Sequence, residues 1–337
     1  MLKKFFQKYS RPVFALNSKG SMSWCNNQAS KVIFNEPENV NIVSDKIDNT
    51  NQNITISFCV FDEEIYLNAN KIGYDEEKNL VYEVSKSDSD QAHALALGFN
   101  CARLGKVDFF LQRQALLSNK ETTGFEALAR LYDSDGNLIG NEEFMPLIDA
   151  RFQLDILLPQ AIKTISQSIK KGIQDTIWIN VSADVLEKQE FVDKIIKKAQ
   201  THNVPTQNIG VELTESIKVQ SMKTANNNVQ KLAKNGIQFA IDDFGTGYAA
   251  IRRLAFMPVN LLKLDKTFIE NIEQTKTKTV ISGIVSLAEE LGSSVLAEGI
   301  ETNDKLLSAS NLGIEYGQGW HLGKPRSLDD IISDNNN

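Results

Sequence analysis

Acidic and amide side chains stand at the ends of short apolar runs through the second half of the chain. Glu126 lies in Gly124-Phe125-Glu126-Ala127-Leu128, Asn180 ends Trp178-Ile179-Asn180, and Glu212 lies in Gly210-Val211-Glu212-Leu213. Asp242 and Asp243 follow Phe239-Ala240-Ile241, Lys263 lies in Leu262-Lys263-Leu264-Asp265, Glu298 follows Val295-Leu296-Ala297, and Gln318 follows Tyr316-Gly317. A lone acid at such a place is ordinarily a helix cap or a solvated loop residue. A whole series of them is different, because carboxylates gathered at one mouth lose hydration and repel one another unless cations are present. An oxygen-only ligand set suits Mg2+ or Mn2+. Zinc fits poorly, since no pair among the three histidines, His93, His202 and His321, has metal-ligand spacing.

The elements that must position these groups are short β-rich segments, each followed by a longer stretch. The strand candidates are 107–110, 123–128, 176–181, 209–213, 237–241, 260–264, 294–297 and 313–316, with amphipathic helices such as 191–202 and 221–235 between most of them. Such an alternation over roughly 240 residues predicts an α/β fold, a TIM-type (β/α)8 barrel, with the polar groups at the C-terminal strand ends where barrel enzymes carry their chemistry. The structural rival, a doubly wound open sheet, lacks a dinucleotide fingerprint after any of the strands.

Residues 1–85 have another texture. Pro12 to Leu16, Ile54 to Phe58, Glu64 to Leu67 and Leu80 to Val84 read as strands, with turns such as Asn17-Ser18-Lys19-Gly20 and an Asn/Asp-rich stretch, Glu36 to Asn53, read as loop or short helices. With its Trp24-Cys25-Asn26 step this region resembles a small, shortened α+β PAS-like fold, expected to act as a sensor or a dimerisation module. It has no histidine, which argues against a His-ligated haem. The polar stretch 86–92 is expected to be the linker, overlapping a helix from about Gln91 to Leu104, and 93–333 the barrel domain.

Composition bounds the function. The 337 residues are 42% hydrophobic and 23% charged with a net charge of -7 and a pI near 5.2. That balance disfavours a DNA or RNA duplex as partner, while a small phosphate ligand remains compatible if metal ions supply positive charge. Cys25, Cys59 and Cys101 form neither a disulfide framework nor a CxxC site, so reduced thiols and a cytoplasmic location are expected. Lys3-Lys4-Phe5-Phe6 is followed by Gln7, Lys8 and Arg11, which interrupt any signal-peptide core, and no run is long enough for an integral membrane segment.

The ordered blocks resemble the EAL domain. Glu126-Ala127-Leu128 is the naming motif. Asn180-Val181-Ser182, Glu212-Leu213-Thr214-Glu215, Asp242 to Tyr248 (Asp-Asp-Phe-Gly-Thr-Gly-Tyr), Lys263-Leu264-Asp265, Ala297 to Thr302 and Gln318-Gly319-Trp320 are similar to its other blocks, in order. The resemblance implies a cyclic di-GMP phosphodiesterase making linear pGpG with two Mg2+ or Mn2+ ions per site, commonly as a homodimer through the barrel. It implies one ion on Glu126, Asn180, Glu212 and Asp242, with Asp242 bridging to a second on Asp243 and Glu298. It implies that Lys263 orients the attacking water, that Glu301 and Gln318 complete the site, and that Glu215 anchors a loop from Asp243 to Ala250 leading to the dimer interface. Gln112, Leu128 and Arg130 would contact the ligand, Arg130 through a phosphate.

Some positions depart from the family pattern. Gln112-Arg113 stands for Gln-Pro, Arg130-Leu131-Tyr132 for Arg-Trp, and Asp149-Ala150-Arg151-Phe152 for Glu-x-x-Gly; none removes a metal ligand. Gly140 to Phe144 resembles a diguanylate-cyclase signature without its second glycine. Asp243-Phe244-Gly245 has none of the companion motifs of a kinase. The functional rival is a catalytically silent cyclic di-GMP receptor or protein-interaction platform. The intact set Glu126, Asn180, Glu212, Asp242, Asp243, Lys263 and Glu298 favours the enzyme.

Overall fold

The computed structural model describes residues 13–16, 22–25, 40–42, 53–60, 63–74, 80–84, 104–133, 136–140, 148, 150–214, 221–245 and 254–335. The chain divides into two compact units, Met1–Val107 with Leu131–Leu157, and Asp108–Arg130 with Leu158–Asn337. The linker at 86–92, most of the helix expected from Gln91, the segment Asn141 to Phe144 and the N-terminal Lys3 to Phe6 lie outside the described residues.

The first unit carries a six-stranded sheet of β1 (Val13–Leu16), β2 (Met22–Cys25), β3 (Val40–Ile42), β4 (Asn53–Val60), β5 (Glu63–Tyr74) and β6 (Leu80–Val84). The order is β2-β1-β6-β5-β4-β3 and every pairing is antiparallel. Ala15 and Val81, partners across β1 and β6, are both buried. All four strands expected here are present. One difference is β3: it arises inside the stretch expected as loop or short helices, where Val40 and Ile42 flank Asn41 and the three residues pair with β4. Three residues are too few for periodicity to announce a strand; the exposed hydrogen-bonding edge of β4 recruits them.

In the second region eight strands close a barrel: β7 (Leu104–Leu116), β8 (Thr122–Asp133), β9 (Thr176–Val181), β10 (Ile209–Thr214), β11 (Gln238–Phe244), β12 (Leu261–Leu264), β13 (Ser294–Ala297) and β14 (Tyr316–Gln318). From β8 to β14 all neighbours are parallel. The strict (β/α)8 expectation fails at its first strand. β7 runs antiparallel to β14 and passes into β8 through a tight turn, with Leu116 N donating to Glu121 O and Glu121 N donating to Asn119 Oδ1. Parallel neighbours need a crossover of a dozen residues or so, and Leu117 to Glu121 is far too short for one. The last strand also starts later than expected, at Tyr316, because the preceding helix Asn303–Asn311 ends only shortly before it.

Helices Leu158–Lys170, Met222–Lys234 and Thr275–Leu291 pack against β9, β11 and β13. Their buried residues, among them Ile162, Ile165, Val229, Leu232, Ile281 and Val285, recur at helical spacing, as an amphipathic helix requires. Caps end the loops above the strands: Ser182, Ser221, Asp265 and Thr302 each accept a backbone N–H from the first turn of the next helix.

Candidate metal centre and active site

Alternation along the strands produces the site. Trp178, Ala240, Leu261 and Leu296, with Tyr316 against them, form one buried apolar cluster. Two residues further along the same strands stand Asn180, Asp242, Lys263, Glu298 and Gln318. Side chains in a strand repeat direction every second residue, so an apolar floor lies one step below a polar layer. Gly210 makes room for the Trp178 indole, while Gly124 lies close against Thr176 O and the Gln114 carboxamide. A Cβ on Gly210 would fall 2.3 Å from the ring, and one on Gly124 would lie 3.4 Å from its Nε1. Glu212 and Glu126 follow those glycines by two residues, in the polar layer.

Lys263 is the centre of that layer. Its side chain is fully buried, and Nζ lies 2.8 Å from Glu212 Oε2, 3.0 Å from Asp242 Oδ1, 3.0 Å from Glu298 Oε1 and 3.3 Å from Glu126 Oε2. Four carboxylates thus surround one ammonium. Burial alone would lower the lysine pKa, but Glu126, Glu212, Glu298 and Asp242 together hold it well above the usual value. The acids respond unequally. Burial pushes Glu212 well up, against Lys263 and with the help of Glu126 and Asp242. Burial likewise lifts Glu298 to about 7, opposed by Lys263 and reinforced by Asp242 and Glu126. Glu126 moves the other way. Burial would raise it, but Lys263 and hydrogen bonds from Gln318 and Asn180 outweigh that.

Asp243 joins the cluster through a backbone irregularity. The β11–β12 register shifts between Ile241 and Phe244, and Asp243 adopts a left-handed φ of 53°. Regular alternation would send adjacent carboxylates to opposite faces; the bulge lets both reach the mouth. Ligand oxygens of Asp242, Asp243 and Glu298 come within 4.8 Å of one another. Asp243 is raised by burial, then by Asp242 and Asp265.

The donor set fits divalent cations. Glu212 Oε1 is buried without a hydrogen-bond partner among the described residues, and Asp242 Oδ1, although close to Lys263, is not aligned for a hydrogen bond. A buried carboxylate oxygen left unpaired is costly, and a cation would satisfy it. The ligand atoms are all oxygens. Asn180 donates from Nδ2 to Glu126 Oε1 at 2.7 Å, which leaves its carbonyl oxygen as the atom a cation would meet.

Carboxamides form the other wall. Gln318 Nε2 donates to Glu126 Oε2 at 2.6 Å and to Gln112 Oε1 at 3.1 Å. Gln112 Nε2 reaches Gly323 O at 3.3 Å. Sequence reasoning missed Gln114, which is buried and donates to Gln318 Oε1 at 3.0 Å. The available signal was its spacing of two from Gln112, which puts both on one strand face.

The remaining expected residues are placed differently. Leu128 and Arg130 follow Glu126 on the same face of β8, both half-buried; the Arg130 guanidinium donates to Ala129 O and sits 5.1 Å from the Phe110 ring centre. Glu301 is exposed and pairs with Lys305 at 3.9 Å, outside the lysine-centred cluster. Glu215 and the loop residues 246–250 lie outside the described residues. Asp265 is the cap of the next helix.

Residues 98–325 match the EAL domain family model. A cyclic di-GMP phosphodiesterase of Pseudomonas aeruginosa is 29% identical over 240 residues, which is 70% of this chain and 40% of that protein. The probable cyclic di-GMP phosphodiesterase PdeA of Escherichia coli K12 is 30% identical over 235 residues, 67% of this chain and 32% of that protein. The chain therefore spans less than half the length of these curated relatives. Among solved structures, the PaMucR phosphodiesterase in its c-di-GMP complex superposes with a TM-score of 0.61 at 27% identity, covering 67% of this chain and 94% of that one.

Proposed function

The chain belongs to the EAL domain family, and on that premise we propose that it hydrolyses cyclic di-GMP to linear pGpG and so lowers the level of that messenger. The observation that carries this reading is the complete carboxylate cage around Lys263 with an orphaned oxygen on Glu212. A binding module needs no such concentration of buried negative charge. Two Mg2+ or Mn2+ ions are the cofactors the donor set suits. Glu126, Asn180, Glu212 and Asp242 would hold one, and Asp242, Asp243 and Glu298 the other. Bound there, such ions would offset the charge of the phosphodiester and make a water more acidic.

The protein's own groups do the rest. Lys263 presents N–H donors from a fully buried stem, so it can orient a water at the carboxylate layer for in-line approach to phosphorus. Arg130 offers paired donors for phosphate oxygens, and turning away from Phe110 would bring it to the ligand. Gln112 and Leu128 would contact the nucleotide; Gln318 steadies Glu126. Glu301 would complete the rim from its exposed place beside Lys305; Glu215, expected to anchor the loop that begins at Asp243, lies outside the described residues.

We further propose that the N-terminal unit is a PAS-like sensory or dimerisation domain. Its antiparallel order β2-β1-β6-β5-β4, with β3 added at the edge, supports that reading. A homodimer through the barrel, acting in the cytoplasm, is part of the same proposal and rests on the family resemblance. Among the described residues no helix is long and apolar enough to cross a membrane. The experiment is hydrolysis of cyclic di-GMP by the purified chain with Mg2+ or Mn2+, beside Glu126→Ala. Production of pGpG that the variant abolishes supports the reading. Tight nucleotide binding with no product would replace it by a silent receptor.

A further inference from the structure

β7 sends two glutamines inward, Gln112 and Gln114, and only the upper one was expected to matter. Gln114 is 2% exposed. Its carboxamide oxygen fills the space beside Gly124, where a Cβ would come within 3.1 Å of it, and its Nε2 donates to Gln318 Oε1 at 3.0 Å. Gln318 in turn gives both of its amide N–H bonds away, to Glu126 at 2.6 Å and to Gln112 at 3.1 Å. Gln114, the register partner of Gln318 across β7 and β14, thus starts a donor-ordered relay that passes through Gln318 and divides to Glu126 and Gln112 in the metal-binding layer.

The direction of that relay follows from the chemistry of its end. An ionised carboxylate only accepts, so Gln318 must face it with nitrogen. That orientation aims Gln318 Oε1 back at β7, where burial leaves it no water. Gln114 is the group that satisfies it. Remove that donor and the favourable orientation of Gln318 leaves a buried carbonyl unpaired; the opposite orientation sets oxygen against Glu126.

We propose that Gln114 is a positioning residue: it locks the Gln318 carboxamide in the orientation that donates to Glu126, and thereby holds Glu126 in place for the cation. The inference rests on the metal-dependent hydrolase reading above. The charge-assisted bond to Glu126 is the shorter branch of the relay, so the effect falls on metal binding and kcat more than on the KM for nucleotide.

The test is a cycle of four proteins: wild type, Gln114→Met, Gln318→Met and the double variant. Methionine keeps the length of Gln114 and removes the donor, and Gln114→Leu replaces it where methionine does not fold, as judged by thermal melting. Mn2+ binding is measured by calorimetry on metal-free protein, and kcat and KM on cyclic di-GMP. Gln114→Met is expected to weaken Mn2+ binding and lower kcat about tenfold, with KM moving much less. The double variant is expected to match Gln318→Met, because Gln114 acts through Gln318. Gln114→His, whose neutral ring keeps an N–H donor, is expected to lose less than Gln114→Met in both assays. Additive effects, or a Gln114→Met protein equal to wild type in both assays, would overturn the proposal. A wild type that binds Mn2+ but makes no pGpG would sink the hydrolase reading, while the calorimetric cycle still decides on Gln114.

Discussion

The floor and the mouth of the barrel are built from the same strands, two residues apart, and they obey opposite rules. At the floor, Trp178, Ala240, Leu261 and Leu296 are packed apolar groups, and burial is their source of stability. At the mouth, on the next inward positions, Lys263 is fully buried and Asp242 and Glu298 are partly buried, and burial works against them, as the raised pKa of Glu298 records. The floor closes the barrel; the mouth stores electrostatic cost that a cation can relieve. The two layers should therefore respond differently to mutation and to metal.

The largest difference is expected in rate. Glu126→Ala should reduce cyclic di-GMP hydrolysis by more than about a hundredfold, since even partners of metal ligands cost about 10–100-fold; pGpG formation by chromatography is the measure. A mouth that tolerated this loss would not be the active site. Next, Lys263→Met removes the ammonium from among four carboxylates. Metal-free protein should lose about 3–5 kcal/mol, the cost of breaking a buried pair, in urea unfolding with chelator present. Mn2+ should return much of it, and an unchanged midpoint would contradict the cage as described.

Trp178→Ala tests the floor. It should cost about 3–5 kcal/mol, and by the same amount with or without Mn2+, because the indole stabilises by packing alone. A metal-dependent loss would show that the layers are not separate. The smallest effect is expected from Gly210→Ala, whose Cβ would meet the indole at 2.3 Å. Overpacking of that kind costs about 1–3 kcal/mol, read as a lower unfolding midpoint insensitive to metal.

Legibility followed the same division. Glu126, Glu212, Asp242, Lys263, Glu298 and Gln318 were readable because each interrupts an apolar run at an inward position. Gln114 is legible only as a glutamine two residues from Gln112; its chemistry comes from Gln318, and the antiparallel register that pairs the two is a tertiary fact. Asp243 was readable as an acid, yet its arrival at the mouth depends on a bulge and a left-handed residue that alternation does not foretell. The antiparallel course of β7 follows from a turn too short for a crossover, a fact visible only once both strands extend to meet it.

By itself, then, the sequence determined most of the local facts: where the longer strands fall, which groups interrupt them, and that oxygen ligands predominate. Tertiary structure decided which of those groups meet. Lys263 and Asp265 are two residues apart, but one ends β12's inward row as the hub of the cage and the other caps a helix. Gln318 and Glu126 are separated by 192 residues and touch at 2.6 Å. The strand pleat sets only the face a side chain takes. Closure of the barrel, held by pairing between strands distant in the chain, sets what that side chain finds there.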